Sequence, residues 1–314
     1  MTKNPKIWLT GSRAFIGRPF VKALRNNQVD LTCFTQNIEE DINIPGEASP
    51  VHMNYLDPLD IKDKIVRLGM PDIFIHMGWG EIGNPESPFH LKEGVQIGKN
   101  LIETFFQLGL KKFIFIGTTS QYGGRVGLLS EEMQPEGRLT KYAQAKNEVE
   151  RLGLQAAQTY GKIFISVRLS YVFGAGQQRQ GSLINDLFQA HLKGTSINLS
   201  PCEHYRDYIH VLDVVEGFKR ICAVDQSTVI NLASGKYVRV KEYVLDFWKH
   251  MGGDIDKLKF GARTLVPGEP DQPKSYADLT RLISLTQWQP ELSLQEGIIK
   301  TVEGLSEEHS TWKK

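Results

Sequence analysis

Lys6-Ile7-Trp8-Leu9-Thr10-Gly11-Ser12-Arg13-Ala14-Phe15-Ile16-Gly17 is the stretch whose reading decides the fold. Five residues that read as a buried strand run straight into a glycine turn, and a helical pattern follows from about Phe15 to Asn26. Gly11 can adopt backbone angles closed to other residues, and Gly17 allows a helix to pack close against the strand. A turn this tight lets Ser12, Arg13, Phe15 and Ile16 bring backbone N–H groups and a helix N-terminus up to a pyrophosphate. Ala14 stands where a middle glycine is common, a small change that leaves room. Alone the pattern is weak; at the first strand of a complete βαβ unit it becomes a dinucleotide-binding reading.

Working outward, the rhythm continues. Strand-like Leu31 to Thr35, helical Pro58 to Leu68, strand-like Asp72 to His76, helical Leu91 to Leu108, strand-like Lys112 to Gly117, helical Tyr142 to Tyr160 and strand-like Ile163 to Leu169 follow in order. This alternation predicts an α/β protein, a Rossmann-like doubly wound parallel sheet with a smaller C-terminal substrate-binding lobe. The expected division is 1–170 for the dinucleotide-binding part, with 208–250 returning to it in part through strand-like Val229 to Leu232 and helical Lys241 to Met251. The lobe takes 171–207, with one amphipathic segment at Ile184 to Leu192, and 251–314.

The chain has 314 residues, 40% hydrophobic and 23% charged, with 37 Lys and Arg against 36 Asp and Glu. Such a balance gives no global field to draw the protein onto nucleic acid or a membrane surface, so an anionic ligand must be held locally. Cys33, Cys202 and Cys222 form no C-x-x-C pair and no metal-like spacing with histidine, so neither a disulfide framework nor a metal site is expected. The N-terminus has no leader-like pattern and no run approaches a membrane span, so the expected location is the cytoplasm.

The second strand bears on the cofactor. An NAD site usually places Asp or Glu at its end, to bond the ribose 2′-OH. Here the end reads Cys33-Phe34-Thr35-Gln36, with no carboxylate before Glu39. Arg13 in the glycine turn could make a forked contact to a 2′-phosphate, or be a solvated surface arginine. NADP is the expected cofactor, with NAD as the alternative. The strand Lys112 to Ile116 ends in Gly117-Thr118-Thr119-Ser120-Gln121-Tyr122-Gly123, and Tyr142 and Lys146 stand four apart on one helix face. A nearby ammonium favours a phenolate and would make Tyr142 a usable acid/base, while the Thr118 hydroxyl could orient the same substrate oxygen. Taken alone the Tyr–Lys pair reads equally as a surface pair; its value comes from the order of the three motifs.

Together with Ile75 to Trp79, Arg168 to Gly174, Arg206 to Val211, Asp213-Val214-Val215 and Trp288-Gln289-Pro290, these motifs resemble the extended short-chain dehydrogenase/reductases, the NAD-dependent epimerase/dehydratase family. The resemblance implies Thr118, Tyr142 and Lys146 as the catalytic triad, with Lys146 also holding the nicotinamide ribose. It implies Gly11, Arg13 and Gly17 at the cofactor phosphates, with Thr35 and Gly78 completing the expected cofactor set. Trp79, Thr119, Ser120, Tyr171 and Arg206 are the expected substrate set, Arg206 at the phosphates of a nucleotide-linked sugar or, alternatively, in a structural pair with Asp207 or Asp213. It also implies a homodimer through the helices containing Ile97, Leu101, Ile102, Phe105 and Leu154.

Three departures narrow the reading. Ser120 stands where dehydratases carry acidic residues, which disfavours dehydration. Tyr171 replaces a common Asn, and Pro267, before Gly268-Glu269, replaces a second phosphate-binding arginine, for which Arg263 is near enough to substitute. The stretch Ser200 to Asp207 is similar to that of 4-ketoreductases of deoxysugar nucleotides. The expected activity is therefore NADPH-dependent reduction of the C4 keto group of a nucleotide-linked 4-keto-6-deoxysugar, with an NAD-dependent 4-epimerase as the alternative. A non-catalytic dinucleotide sensor would have little reason to keep all three residues of the triad. Trp8, Trp248, Trp288 and Trp312 are expected to be packing residues, and His210 a core histidine.

Overall fold

The computed structural model describes residues 4–26, 29–36, 50–177, 182–264 and 274–312, with side chains through residue 307. Glu39, the Pro267–Glu269 segment and the terminal Lys313-Lys314 lie outside the described residues.

The first unit comprises Met1–Gly123, Arg138–Leu169 and Phe218–Ile230. Its strands β1 (Lys6–Thr10), β2 (Asp30–Thr35), β3 (Val51–His52), β4 (Ile73–His76) and β5 (Lys112–Thr118) belong to a sheet of seven, completed by Ile163–Leu169 and Thr228–Leu232. From one edge the order is Thr228–Leu232, Ile163–Leu169, β5, β4, β1, β2, β3. Every pairing from Ile163–Leu169 to β3 is parallel. The chain winds outward in both directions from β1 and β4, so the carboxyl ends of these two strands flank the topological switch point, where α/β sheets bind ligands.

The strands read as continuous apolar runs because both faces of the sheet are covered. Trp8, Phe34, Phe74, Phe113 and Phe164 are buried with Leu101 and Phe105 of α3 (Val95–Gln107). Each fully buried ring contributes about 1.5–3 kcal/mol. This corrects the expected role of one helix face: Ile97, Leu101, Ile102 and Phe105 fill the chain's own core rather than an apolar surface. Helices α1 (Gly17–Arg25), α2 (Pro58–Leu68), α3 and α4 (Lys141–Tyr160) take most of the positions the periodicity predicts. Two starts differ. The glycine turn holds Phe15 and Ile16 out of α1, and the first turn of the Leu91–Leu108 segment is a π-helix, His90–Gly94.

The second unit comprises Gly124–Gly137, Ser170–Gly217 and Asn231–Lys314. The return to the first unit is therefore narrower than 208–250, since only 218–230 belong there. Helix Val240–His250 is instead in the second unit, where Tyr243, Val244, Phe247 and Trp248 pack with Phe173 and Phe188. Short two-stranded ribbons frame this core, among them Tyr171–Phe173 with Tyr208–His210, and Tyr205–Arg206 with Val238–Arg239. Helix Leu183–Lys193 covers the predicted amphipathic segment; the Ser182 side chain accepts from the Asn185 N–H at its start, and Gly194 ends it in the left-handed conformation.

Candidate active site

At the end of β1 the chain turns at Gly11, whose φ is +77°. A side chain there would place its Cβ 2.6 Å from the Gly78 nitrogen, and one at Gly17 would collide with the Gly11 carbonyl. Thr10 closes the same spot: its hydroxyl oxygen accepts from the Met77 and Gly78 N–H groups at 3.2 and 3.0 Å and lies 2.8 Å from His76 Nδ1. With both N–H groups donating to it, this hydroxyl is free to donate its own proton to Nδ1. Burial holds His76 down at about 3, so its ring is neutral. No side chain caps the start of α1. Gly11, Gly17 and Gly78 thus let the first turn, the α1 terminus and the end of β4 meet backbone to backbone, and a helix start without a side-chain cap is the kind of place that suits an anion. Ser12 is buried, and Arg13, Phe15 and Ile16 beside it and Thr35 at the end of β2 are half-buried.

Thr118 ends β5 in extended backbone and caps the short 3-10 turn Thr119–Tyr122. Its N–H donates to Gln121 Oε1 at 2.9 Å, and its hydroxyl oxygen accepts from the Ser120 N–H at 3.2 Å. Thr119 is half-buried and Ser120 exposed.

Tyr142 and Lys146 lie on α4, capped by Thr140, whose hydroxyl accepts from the Ala143 N–H. The Tyr142 N–H donates to the Pro85 carbonyl at 2.9 Å, which satisfies one of the orphan donors of the first turn. Lys146 is 2% exposed, and its Nζ donates to the Ile116 carbonyl at 2.7 Å. Three rings surround that nitrogen: Trp79 at 3.8 Å, Phe115 at 4.6 Å and Tyr142 at 5.6 Å to the centroids. Burial pushes the Lys146 ammonium well below its ordinary range, while the ring faces favour the charged form. The surface-pair alternative for Tyr142 and Lys146 therefore does not hold for Lys146.

Trp79 is fixed by a chain of hydrogen bonds. Its Nε1–H donates to His90 Nδ1 at 3.1 Å, and His90 Nε2 lies 2.9 Å from the Asn84 carbonyl, which places the His90 proton on Nε2. The His90 ring stands 5.3 Å from that of Tyr142. Gly94 is required beneath the indole, since a Cβ there would meet the Trp79 ring at 2.8 Å. Sequence reading missed His90, whose signal was only a lone histidine near two glycines.

In the second unit, Tyr171 and Arg206 line a cavity of about 370 Å³ together with His204, Tyr208 and Arg263. The Arg206 guanidinium lies 5.0 Å from the centre of the Tyr171 ring and donates to the Tyr205 carbonyl. The two carboxylates offered as its structural partners carry backbone hydrogen bonds of their own. Asp207 accepts from the N–H groups of Ser234, Gly235 and Ala277 and from the Ser234 hydroxyl. Asp213 accepts from the N–H groups of Glu291 and Leu292. His210 is a core histidine satisfied on one side: Nδ1 accepts from the Leu212 N–H. Trp8, Trp248 and Trp288 are buried packing residues.

A parallel sheet with this order and a glycine turn into a helix at its switch point is the architecture of dinucleotide-binding α/β proteins. The comparisons carry this further, because residues 7–233 match the model of the NAD dependent epimerase/dehydratase family. The chain belongs to that family of enzymes. It is 26% identical to a putative UDP-glucose 4-epimerase of Methanocaldococcus jannaschii over 97% of this chain and 100% of the relative. Among solved structures, it superposes on the UDP-glucose 4-epimerase of Thermotoga maritima with UDP-glucose at a TM-score of 0.86, with 23% identity over 97% of this chain and 99% of the other. RMD from Pseudomonas aeruginosa complexed with NADPH gives a TM-score of 0.78, with 19% identity over 97% and 100%. No helix among the described residues is long and apolar enough to cross a membrane.

Proposed function

We propose that this protein is a nucleotide-sugar 4-ketoreductase that uses NADPH to reduce the C4 keto group of a nucleotide-linked 4-keto-6-deoxysugar. The observation that carries the reading is the end of β2, where Cys33-Phe34-Thr35-Gln36 offers no carboxylate to a ribose 2′-OH and Arg13 stands in the glycine turn as a partner for a 2′-phosphate. Gly11, Ser12, Arg13, Gly17 and Gly78 would hold the cofactor. When bound, the reduced nicotinamide supplies the hydride that turns the C4 carbonyl into an alcohol.

The chain's own groups handle the oxygen. Tyr142 gives its phenolic proton to the C4 oxygen as negative charge develops there, and the Thr118 hydroxyl donates a hydrogen bond to the same atom. Lys146, held against the Ile116 carbonyl, stabilises the phenolate left on Tyr142 and would also hold the nicotinamide ribose. Trp79, Thr119 and Ser120 line the sugar side. Ser120 offers no carboxylate for eliminating water, which supports reduction over dehydration. Arg206 and Arg263 on one cavity suit two phosphates, with Tyr171 flanking Arg206.

A second reading is favoured by the named relatives: an NAD-dependent 4-epimerase, in which hydride leaves C4 and returns to its other face. The deciding experiment releases and identifies any nucleotide carried through purification, then titrates the emptied protein with NADPH and NADH. Preference for NADPH and consumption of NADPH with a 4-keto-6-deoxysugar nucleotide support the reductase. Retained NAD without NADPH preference, with interconversion of UDP-glucose and UDP-galactose, overturns it in favour of the epimerase.

A further inference from the structure

Gln121 lies inside the Gly117–Gly123 motif, is 1% exposed, and has a role that the proposed chemistry does not use. Every polar atom of its side chain is committed. Oε1 accepts from the Thr118 N–H at 2.9 Å, while Nε2 donates to Asn147 Oδ1 at 2.9 Å and to Glu150 Oε2 at 3.1 Å. Asn147 Nδ2 returns a hydrogen bond to the Gln121 carbonyl at 3.1 Å. Gly117 makes this possible, since a Cβ there would run into Gln121 Oε1.

Glu150 is the anchor. It follows Lys146 by four residues and Tyr142 by eight, so all three stand in one row on α4. The Ser166 hydroxyl donates to its Oε2 at 2.7 Å, and Arg168 on the neighbouring strand donates from Nε to Oε2 at 3.2 Å and from Nη2 to Oε1 at 2.5 Å. The Arg168 guanidinium in turn lies 4.6 Å from the centre of the Tyr122 ring. Glu150 and Arg168 are 6% and 7% exposed. A buried ion pair contributes little net stability by comparison with an apolar pair, but its geometry is rigid and breaking it is expensive.

The amide has only one allowed orientation. Its nitrogen faces two acceptors and its oxygen the Thr118 N–H, so the side chain links the end of β5 to the helix bearing Tyr142 and Lys146. We propose that Gln121, clamped by Glu150 and Asn147, is a positioning residue that sets the place of the Thr118 hydroxyl relative to Tyr142. This rests on the reading that Thr118 and Tyr142 share one substrate oxygen. An error of about 1 Å at such a site costs roughly 10²-fold in rate.

The test is a double-mutant cycle on the full chain. Wild type, Thr118→Val, Gln121→Met and the double variant are assayed with saturating NADPH and CDP-, UDP- or dTDP-linked 4-keto-6-deoxyglucose, using whichever the wild type reduces. Melting temperature and NADPH affinity are measured for each. The expected result is a kcat about 10–100-fold lower for Gln121→Met, with KM changed by less than about threefold and NADPH affinity kept. On the Thr118→Val background the same change should lower kcat by less than about twofold further. As a second variant, Gln121→Glu sets two carboxylates against each other and should be nearly inactive.

Equal losses from Gln121→Met in both backgrounds, or a kcat within about twofold of wild type, overturn the positioning role and leave the functional reading standing. Thr118→Val at full activity, or a wild type that reduces none of the three substrates, overturns the functional reading and the positioning role with it.

Discussion

Behind Thr118, the side chains of Gln121, Glu150, Ser166 and Arg168 are buried and joined by hydrogen bonds, whereas Tyr171, Arg206 and Arg263 line a cavity of about 370 Å³ and are each partly in solvent. The first arrangement fixes angles; the second offers charge and a ring face to whatever enters. A transferred proton needs its donor within a few tenths of an ångström of the right place, while a phosphate can be held by several geometries of a long, forked side chain. Damage in the first unit should therefore appear in kcat, and damage around the cavity in KM.

The sharpest way to break this contrast is Tyr142→Phe. Turnover should fall by at least about 10²–10⁴-fold with melting temperature and NADPH binding unchanged, and residual activity above about a tenth would remove Tyr142 from the chemistry. Next comes Lys146→Met, which keeps the buried stem but loses the nitrogen under Trp79. We expect kcat to fall about 10²-fold, with the alkaline fall of reductase activity moved upward in pH, since the phenol that must donate its proton loses the cationic neighbour that favours its ionised form. An unaltered pH profile would reassign Lys146 to packing. In the second unit, Arg206→Ala should raise the KM for the nucleotide sugar about 10–100-fold, from the loss of about 1.5–3 kcal/mol of charge-assisted bonding. A kcat defect with normal KM would erase the distinction between the two regions.

The smallest effect is one of stability. His76 is neutral in the fold, held down at about 3, and its unfolded value is near 6.5. Between those values the unfolded chain binds a proton that the folded chain does not, so the His76 contribution is complete above about pH 6.5 and is lost as pH falls toward 3. The slope is at most about 1.4 kcal/mol per pH unit. Urea unfolding of wild type and His76→Asn at pH 7 and pH 5 measures it: the gap between the two pH values should narrow in the variant, whose side-chain oxygen can still accept from Thr10. An equal gap in both would place the acid sensitivity elsewhere.

Much of the fold was legible because its signals are local. The β1 strand, α2 and the strand Ile163–Leu169 were readable to the residue from apolar runs and a proline at a helix start. The Tyr142–Lys146 spacing was legible for the same reason. Gln121 was not, because its meaning lies in Glu150, which is 29 residues away, and Arg168, which is 18 further on. Helix α3 misled in another way: Ile97, Leu101 and Phe105 form the stripe that any helix presents to something, and only the packing tells that it faces the sheet. The placement of Val240–His250 in the second unit was likewise a matter of which apolar surface it meets.

The π-helical turn His90–Gly94 has a consequence for how this site tolerates change in length. A π turn carries one residue more than an α turn, and each residue advances a helix by about 100°. Removing a single residue between Leu91 and Gly94 would let the segment relax into a continuous α-helix and swing His90 about a quarter-turn away from the indole it now receives. The surplus residue acts as a spacer. Trp79 is held over Lys146 only while the chain keeps its present count, so a family member one residue shorter here would need another way to steady whatever stands at that position.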